Sequence, residues 1–347
     1  SVASFVSLKP GKDRSPPDPP RPMLVSLFRS NRPAILLGLI VVVPVLFVRD
    51  LFTGVSMLAG DVMPFHGLVR GALEQVPWAA GLLQLLLVGW TAVQLNALAN
   101  NTDQVDRRNH LTALLFVLLL AAFDRTAVLD PALLGMPLVL WALHSAWSVS
   151  NRSNALAELF DAGVLIGLAG LFYLPYLFLV VVLWASVSVM RPFNWREYVL
   201  PVLGLVVVIH LCWGCLHLAG ATPWTPLHTI ADQGRIVDRA GSPQGQRWLL
   251  DVLLIPLVLV ALYLYSGSYQ RGIMRVKNVR SAFLAFCVAI GVIMGGVWLL
   301  NTSFPPVLLA TPLAVLLSYA FMSERHQWLS GSAVFALLAL ALWVQWG

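Results

Sequence analysis

The residues best equipped for chemistry lie in two hydrophilic stretches of an otherwise apolar chain. The first, residues 49–77, reads RDLFTGVSMLAGDVMPFHGLVRGALEQVP. Asp50 closes the first apolar run, and Asp61 follows close to three helical turns later, although Gly54, Gly60 and Pro64 argue against one unbroken helix. A carboxylate pinned at the membrane surface suits a general base for an incoming hydroxyl, or a ligand for a divalent cation. The alternative is an interfacial acid paired with Arg49 or Arg70. The second stretch, residues 219–248, carries Asp232, Arg235, Asp238, Arg239 and Arg247. Spacings of three and four make its acids and arginines an ion-paired helix face. The same guanidinium groups of Arg235, Arg239 or Arg247 could instead grip a phosphate at two points.

A third constellation is HLCWGCLHL. His210 and His217 share a face, with Cys212 and Cys215 between them. The count suits zinc, but one continuous helix spreads these four side chains around its circumference, so no metal site is assigned. Leu216 stands where a c-type haem attachment needs histidine. The chain has no G-x-x-x-x-G-K-[ST], H-E-x-x-H or G-x-S-x-G pattern, and no cofactor follows from its motifs.

The elements that position these residues follow from composition. Hydrophobic residues make up 59% and charged residues 11%, with mean hydropathy +0.80. A soluble domain carries about twice that charge, so this is an all-α, polytopic transmembrane bundle whose first partner is the lipid bilayer. The net charge of +6 reflects basic membrane-surface loops and not nucleic-acid binding. Cys212, Cys215 and Cys287 all sit in apolar runs, which excludes a disulfide framework.

Residues 1–22 are rich in proline and charge and read as a disordered extension, with Met23 as the natural start and 23–347 as a single membrane domain. No cleavable signal peptide is recognised. Hydropathy marks spans near 34–48, 78–97, 111–123, 131–149, 154–171, 174–190, 199–218, 249–265, 282–300, 307–321 and 332–346, about eleven in all. The run 161–190 has no charge after Asp161 and is about 45 Å long as a single helix, so a break is predicted at Tyr173–Pro175. Gly163 and Gly167 share a face before it, open to a close backbone approach. A cytoplasmic N-terminus puts sixteen of the 22 Lys and Arg inside, including the basic loop 271–280, and puts both hydrophilic stretches outside.

From Met23 onward, LFRSNRP, QLNAL, ALAELFDAGVLIGLAGLFYLPYLF and RPFNWREYVLPVLG resemble a bacterial family of polytopic inner-membrane proteins of unassigned function. The order of elements also resembles the membrane module of C-type glycosyltransferases, which use polyprenyl-phosphate sugars. That resemblance implies a catalytic acid at Asp50, with Asp61 second. It also implies a broken helix pair at GVLIGLAGLFYLP and a phosphate grip from Arg235, Arg239 or Arg247. Leu51 stands where a second paired acid is usual, and Tyr173 where a basic residue is often found. The rival expectations are a non-enzymatic scaffold subunit with membrane-protein partners, and a transporter, which needs internal repeats that the chain does not show.

Overall fold

The computed structural model describes residues 38–53, 56–57, 63–102, 104, 109–123, 128–149, 155–220, 244–299, 305–322 and 327–346. They fold as a helical bundle: α1 (Leu39–Thr53), α2 (Pro64–Leu73), α3 (Pro77–Asn101), α4 (Leu111–Phe123), α5 (Pro131–Ser148), α6 (Leu156–Gly170), a 3-10 segment (Leu174–Leu179), α7 (Val180–Met190), α8 (Trp195–Leu218), α9 (Gln244–Arg271), α10 (Met274–Leu299), α11 (Pro306–Met322) and α12 (Gln327–Trp346). The extended pairing among the described residues is a two-residue parallel ladder, β1 (Ser56–Met57) with β2 (Val128–Leu129). Four helical stretches, Trp78–Asn101, Trp195–Leu218, Trp248–Gln270 and Met274–Leu299, are long and apolar enough to cross a membrane. Shorter apolar helices accompany them.

The ends of these helices are set by local chemistry. Proline opens α2, α3 and α5, where its missing N–H costs nothing. Asp130 caps α5 by accepting from Ala132 N at 2.9 Å. At the middle of the bundle lies α4, buried on every side from Leu111 to Ala122 and packed by α3, α11 and α12. It is apolar all round, so it needs no polar face to direct it.

The tightest crossing joins α6 to α8. Gly163 lies against the backbone of Pro201, whose Cα would stand 2.6 Å from an added Cβ. Gly204 lies reciprocally against the Phe160 carbonyl and Val164 N. Gly167 meets Leu205 and Val208 one turn on. The expected glycine face is present, and its partner is α8. The expected break is present too: α6 stops at Gly170, Leu171–Tyr173 turn, and Pro175 stands inside the 3-10 segment that leads into α7.

Several helices run further than hydropathy suggests. α8 begins at Trp195, α9 reaches Arg271 and α10 begins at Met274. Hydropathy marks apolar residues, whereas the backbone hydrogen bonds of a helix continue through its charged ends. At the start of α8, Asn194 caps Arg196 N, and Arg191 pairs with buried Glu197 at 3.0 Å while donating to Val149 O at 3.2 Å. Arg191→Met strands the Glu197 carboxylate. Its expected cost is about 3 kcal/mol in a reversible unfolding measurement, largely restored in Arg191→Met/Glu197→Leu.

Candidate functional site

Asp50 lies in the last turn of α1 and Arg247 in the first turn of α9, and the side chains of both fall outside the described set. Asp61, Arg235 and Arg239 lie outside the described residues altogether. The structure describes elements that neighbour them in sequence. Arg49, beside Asp50, donates to Gln345 O at 2.8 Å, and Gln345 donates to Ala121 O at 2.9 Å. The end of α1 is thereby anchored to the ends of α12 and α4.

The first hydrophilic stretch is fastened at two further places. Its β1 segment pairs with β2, just ahead of α5. Its α2 helix docks on the broken pair: Phe65 N donates to Leu171 O at 3.2 Å, and the Phe65 and Phe172 rings meet edge-on at 5.5 Å. The break itself is held by Tyr176, whose hydroxyl donates to Ala132 O at 2.7 Å and whose ring packs edge-on against Tyr173 at 5.2 Å. Gly135 makes room for that ring, since an added Cβ would stand 2.8 Å from Tyr176 Cε2.

The docking of α2 buries His66 completely and leaves both of its ring nitrogens without a hydrogen-bond partner. Burial, and then the positive charge of Arg70 one turn on, push its pKa down to about 4. Arg70 in turn pairs with Glu74, the residue that caps the end of α2. A neutral imidazole beside an arginine offers one hydrogen-bond donor and one acceptor and adds no charge there. Because the docked form stays neutral while an undocked histidine titrates near 6.5, docking weakens as pH falls from about 6.5 toward about 4 and levels off below that. The expected loss is about 3 kcal/mol across that window. Unfolding midpoints of the wild type and His66→Leu, compared from pH 7 to 4.5, isolate it as the steeper slope of the wild type.

The histidines and cysteines of α8 form no ligand cluster. Trp213 stacks between His210 (6.2 Å) and His217 (5.9 Å), Cys212 is half-buried and Cys215 exposed. Among the described residues, no three His, Cys, Asp or Glu side chains converge.

A polar cluster at the opposite end of the bundle was not expected from sequence. Asn96 Nδ2 lies 3.0 Å from His110 Nδ1, Asn100 donates to Asn109 O at 2.7 Å, and Gln104 donates to Val279 O at 3.0 Å. These contacts clamp the α3–α4 turn onto α10. Burial lowers the pKa of His110. The signal was in plain view, as QLNALANN places amides inside an apolar helix where they need partners.

Residues 80–344 match a family of unknown function, DUF6427. No curated protein and no solved structure matches the chain.

Proposed function

The chain belongs to the DUF6427 family of unknown function, and we propose that it is a bacterial inner-membrane protein with a cytoplasmic N-terminus, about eleven crossings and a site at its outer face. The site handles a polyprenyl-phosphate-linked sugar. Asp50 serves as the base for the acceptor hydroxyl, Asp61 supports it, and Arg235, Arg239 or Arg247 hold the leaving phosphate. One observation supports this reading. The hydrophilic stretch that carries Asp50 and Asp61 is fastened to the broken pair through Phe65, Leu171 and Phe172, at the end of the bundle where α1 finishes and α9 begins. That is where a lipid-borne headgroup and an acceptor need fixed residues around them.

The test uses membranes with and without the chain, supplied with a radiolabelled polyprenyl-phosphate sugar. Label that moves to an acceptor only when the chain is present supports the reading, and its absence with a panel of sugars overturns it. Orientation is tested in a cysteine-free background: Ile273→Cys should label only from the cytoplasmic side and Ser242→Cys only from the outer side.

The second reading is a non-enzymatic scaffold subunit. Its partner helix would seat on the broad apolar surfaces of α8, α9 and α10, on which Val206, Leu211, Leu259, Val288 and Val292 are exposed, in place of lipid. Under that reading the chain co-purifies with a fixed membrane partner and shows no transfer.

A further inference from the structure

We propose that the turns at 191–196 and 272–277 form one docking face for the phosphate headgroups of anionic phospholipids. This rests on the reading of the chain as membrane-spanning, and not on the transferase reading.

Both turns lie at the same end of the bundle. Trp147, at the end of α5, donates to Ser186 Oγ of α7 at 3.1 Å and packs edge-on against Phe283 of α10 at 6.4 Å. It therefore ties the end of α7, where the first turn starts, to the start of α10, where the second turn ends. Each turn presents two large apolar tips, Phe193 (81% exposed) with Trp195 (61%), and Ile273 (71%) with Met274 (74%). Each also presents cations. Arg196 and Arg275 are exposed and Lys277 is half-buried. Among the described residues none of these three makes an ion pair.

Within the two turns the other charges do not cancel this face. Glu197 is buried against Arg191. Arg280 points inward, where it donates to Ser268 Oγ at 2.8 Å and lies 5.6 Å from the centre of the Tyr319 ring, so it stiffens the α9–α10 hairpin and leaves its tip to Arg275 and Lys277. No acid occurs between Asp251 and Glu324, so the tip of the hairpin lacks a counter-charge of its own.

The combination selects an environment. Bulk water disfavours four large apolar tips, and hydrocarbon disfavours three unpaired cations. The headgroup zone accepts both, with aromatic and aliphatic groups entering the interface and guanidinium and ammonium groups meeting phosphate. Length agrees, because α9 at about 42 Å matches a bilayer measured through its headgroups and brings the 272–277 turn to phosphate level. Each cation at an anionic surface contributes about fivefold in binding, so selectivity for anionic over zwitterionic lipid is expected.

The test is lipid binding to the full chain in detergent, read by native mass spectrometry with phosphatidylglycerol, phosphatidylcholine or inorganic phosphate added. Phosphatidylglycerol should bind at least about tenfold more tightly than phosphatidylcholine, and Arg275→Glu/Lys277→Glu should weaken it by more than about twenty-five-fold. Ile273→Ser/Met274→Ser should weaken both lipids alike. If the charge-reversal pair does not fold, Arg275→Gln/Lys277→Gln is expected to weaken phosphatidylglycerol binding about twenty-five-fold by itself. Equal binding of the two lipids overturns the proposal, as does binding unchanged by the charge variants. Displacement of the lipid by an equal concentration of inorganic phosphate also overturns it, by revealing a free-anion site. The membrane reading fails separately, if alkaline carbonate strips the chain from membranes.

Discussion

Gly163→Val leaves the protein unable to close α6 on α8, at an expected cost of at least about 3 kcal/mol, seen as loss of folded protein from membranes. At this crossing the neighbour is backbone. Pro201 Cα and C would lie 2.6 and 2.7 Å from the new Cβ, and neither can rotate away as a side chain can. The Gly204 face repeats the problem from the other helix, so Gly204→Ala is expected to behave similarly. Gly170 is the informative contrast. An added Cβ there meets the Leu177 side chain, with Cγ at 2.8 Å, which can change rotamer, so Gly170→Ala costs about 1 kcal/mol. Gly214 and Gly291 have nothing within 4 Å, and alanine at either should be neutral or stabilising by up to about 1 kcal/mol through helix propensity. Thermal unfolding of the five variants in one detergent orders them. Equal behaviour of Gly163→Val and Gly214→Ala sinks the close-crossing account.

The glycine face shows what could be read from the chain and what could not. Gly163 and Gly167 lie four apart, so their shared face follows from helix periodicity alone. That they press on Pro201 and Leu205 does not follow, because long-range pairing leaves no local trace. The break at Pro175 was legible for a physical reason, since a charge-free run too long for one crossing must bend, and proline is where backbone hydrogen bonding fails first. The central place of α4 was hidden. In a membrane chain a helix that is apolar all round suits the core and the lipid equally. His66 was hidden differently, since a histidine in a hydrophilic stretch reads as exposed until α2 docks over it.

The two segments that carry the family resemblance have structural work of their own. In ALAELFDAGVLIGLAGLFYLPYLF, Gly163 and Gly167 admit α8, Leu171 O accepts from α2, and Tyr176 holds α5. In RPFNWRE, Arg191 pairs with Glu197 and Asn194 caps α8. These residues account for a shared fold. A resemblance carried by them therefore transmits architecture.

Under the transferase reading, Asp50→Asn lowers sugar transfer by two to four orders of magnitude, the usual span for loss of a general base, with the fold intact. The substitution keeps the shape and removes the proton acceptor. The fold is expected to tolerate it, because the described anchoring of that end of α1 runs through Arg49 to Gln345 and Gln345 to Ala121, both to backbone carbonyls. Asp61→Asn, as the second acid, is expected to cost less than Asp50→Asn. Replacing Arg235, Arg239 and Arg247 singly by lysine separates phosphate grip from bulk charge. A two-point contact is lost with the guanidinium even though the charge stays, so the gripping position loses activity as lysine and the others do not. The measurements are initial rates of transfer from a polyprenyl-phosphate sugar in membranes, with thermal unfolding of each variant alongside. Full transfer by Asp50→Asn removes Asp50 as the base. If Asp61→Asn also transfers fully, neither acid serves as the base, and the transferase reading gives way to the scaffold.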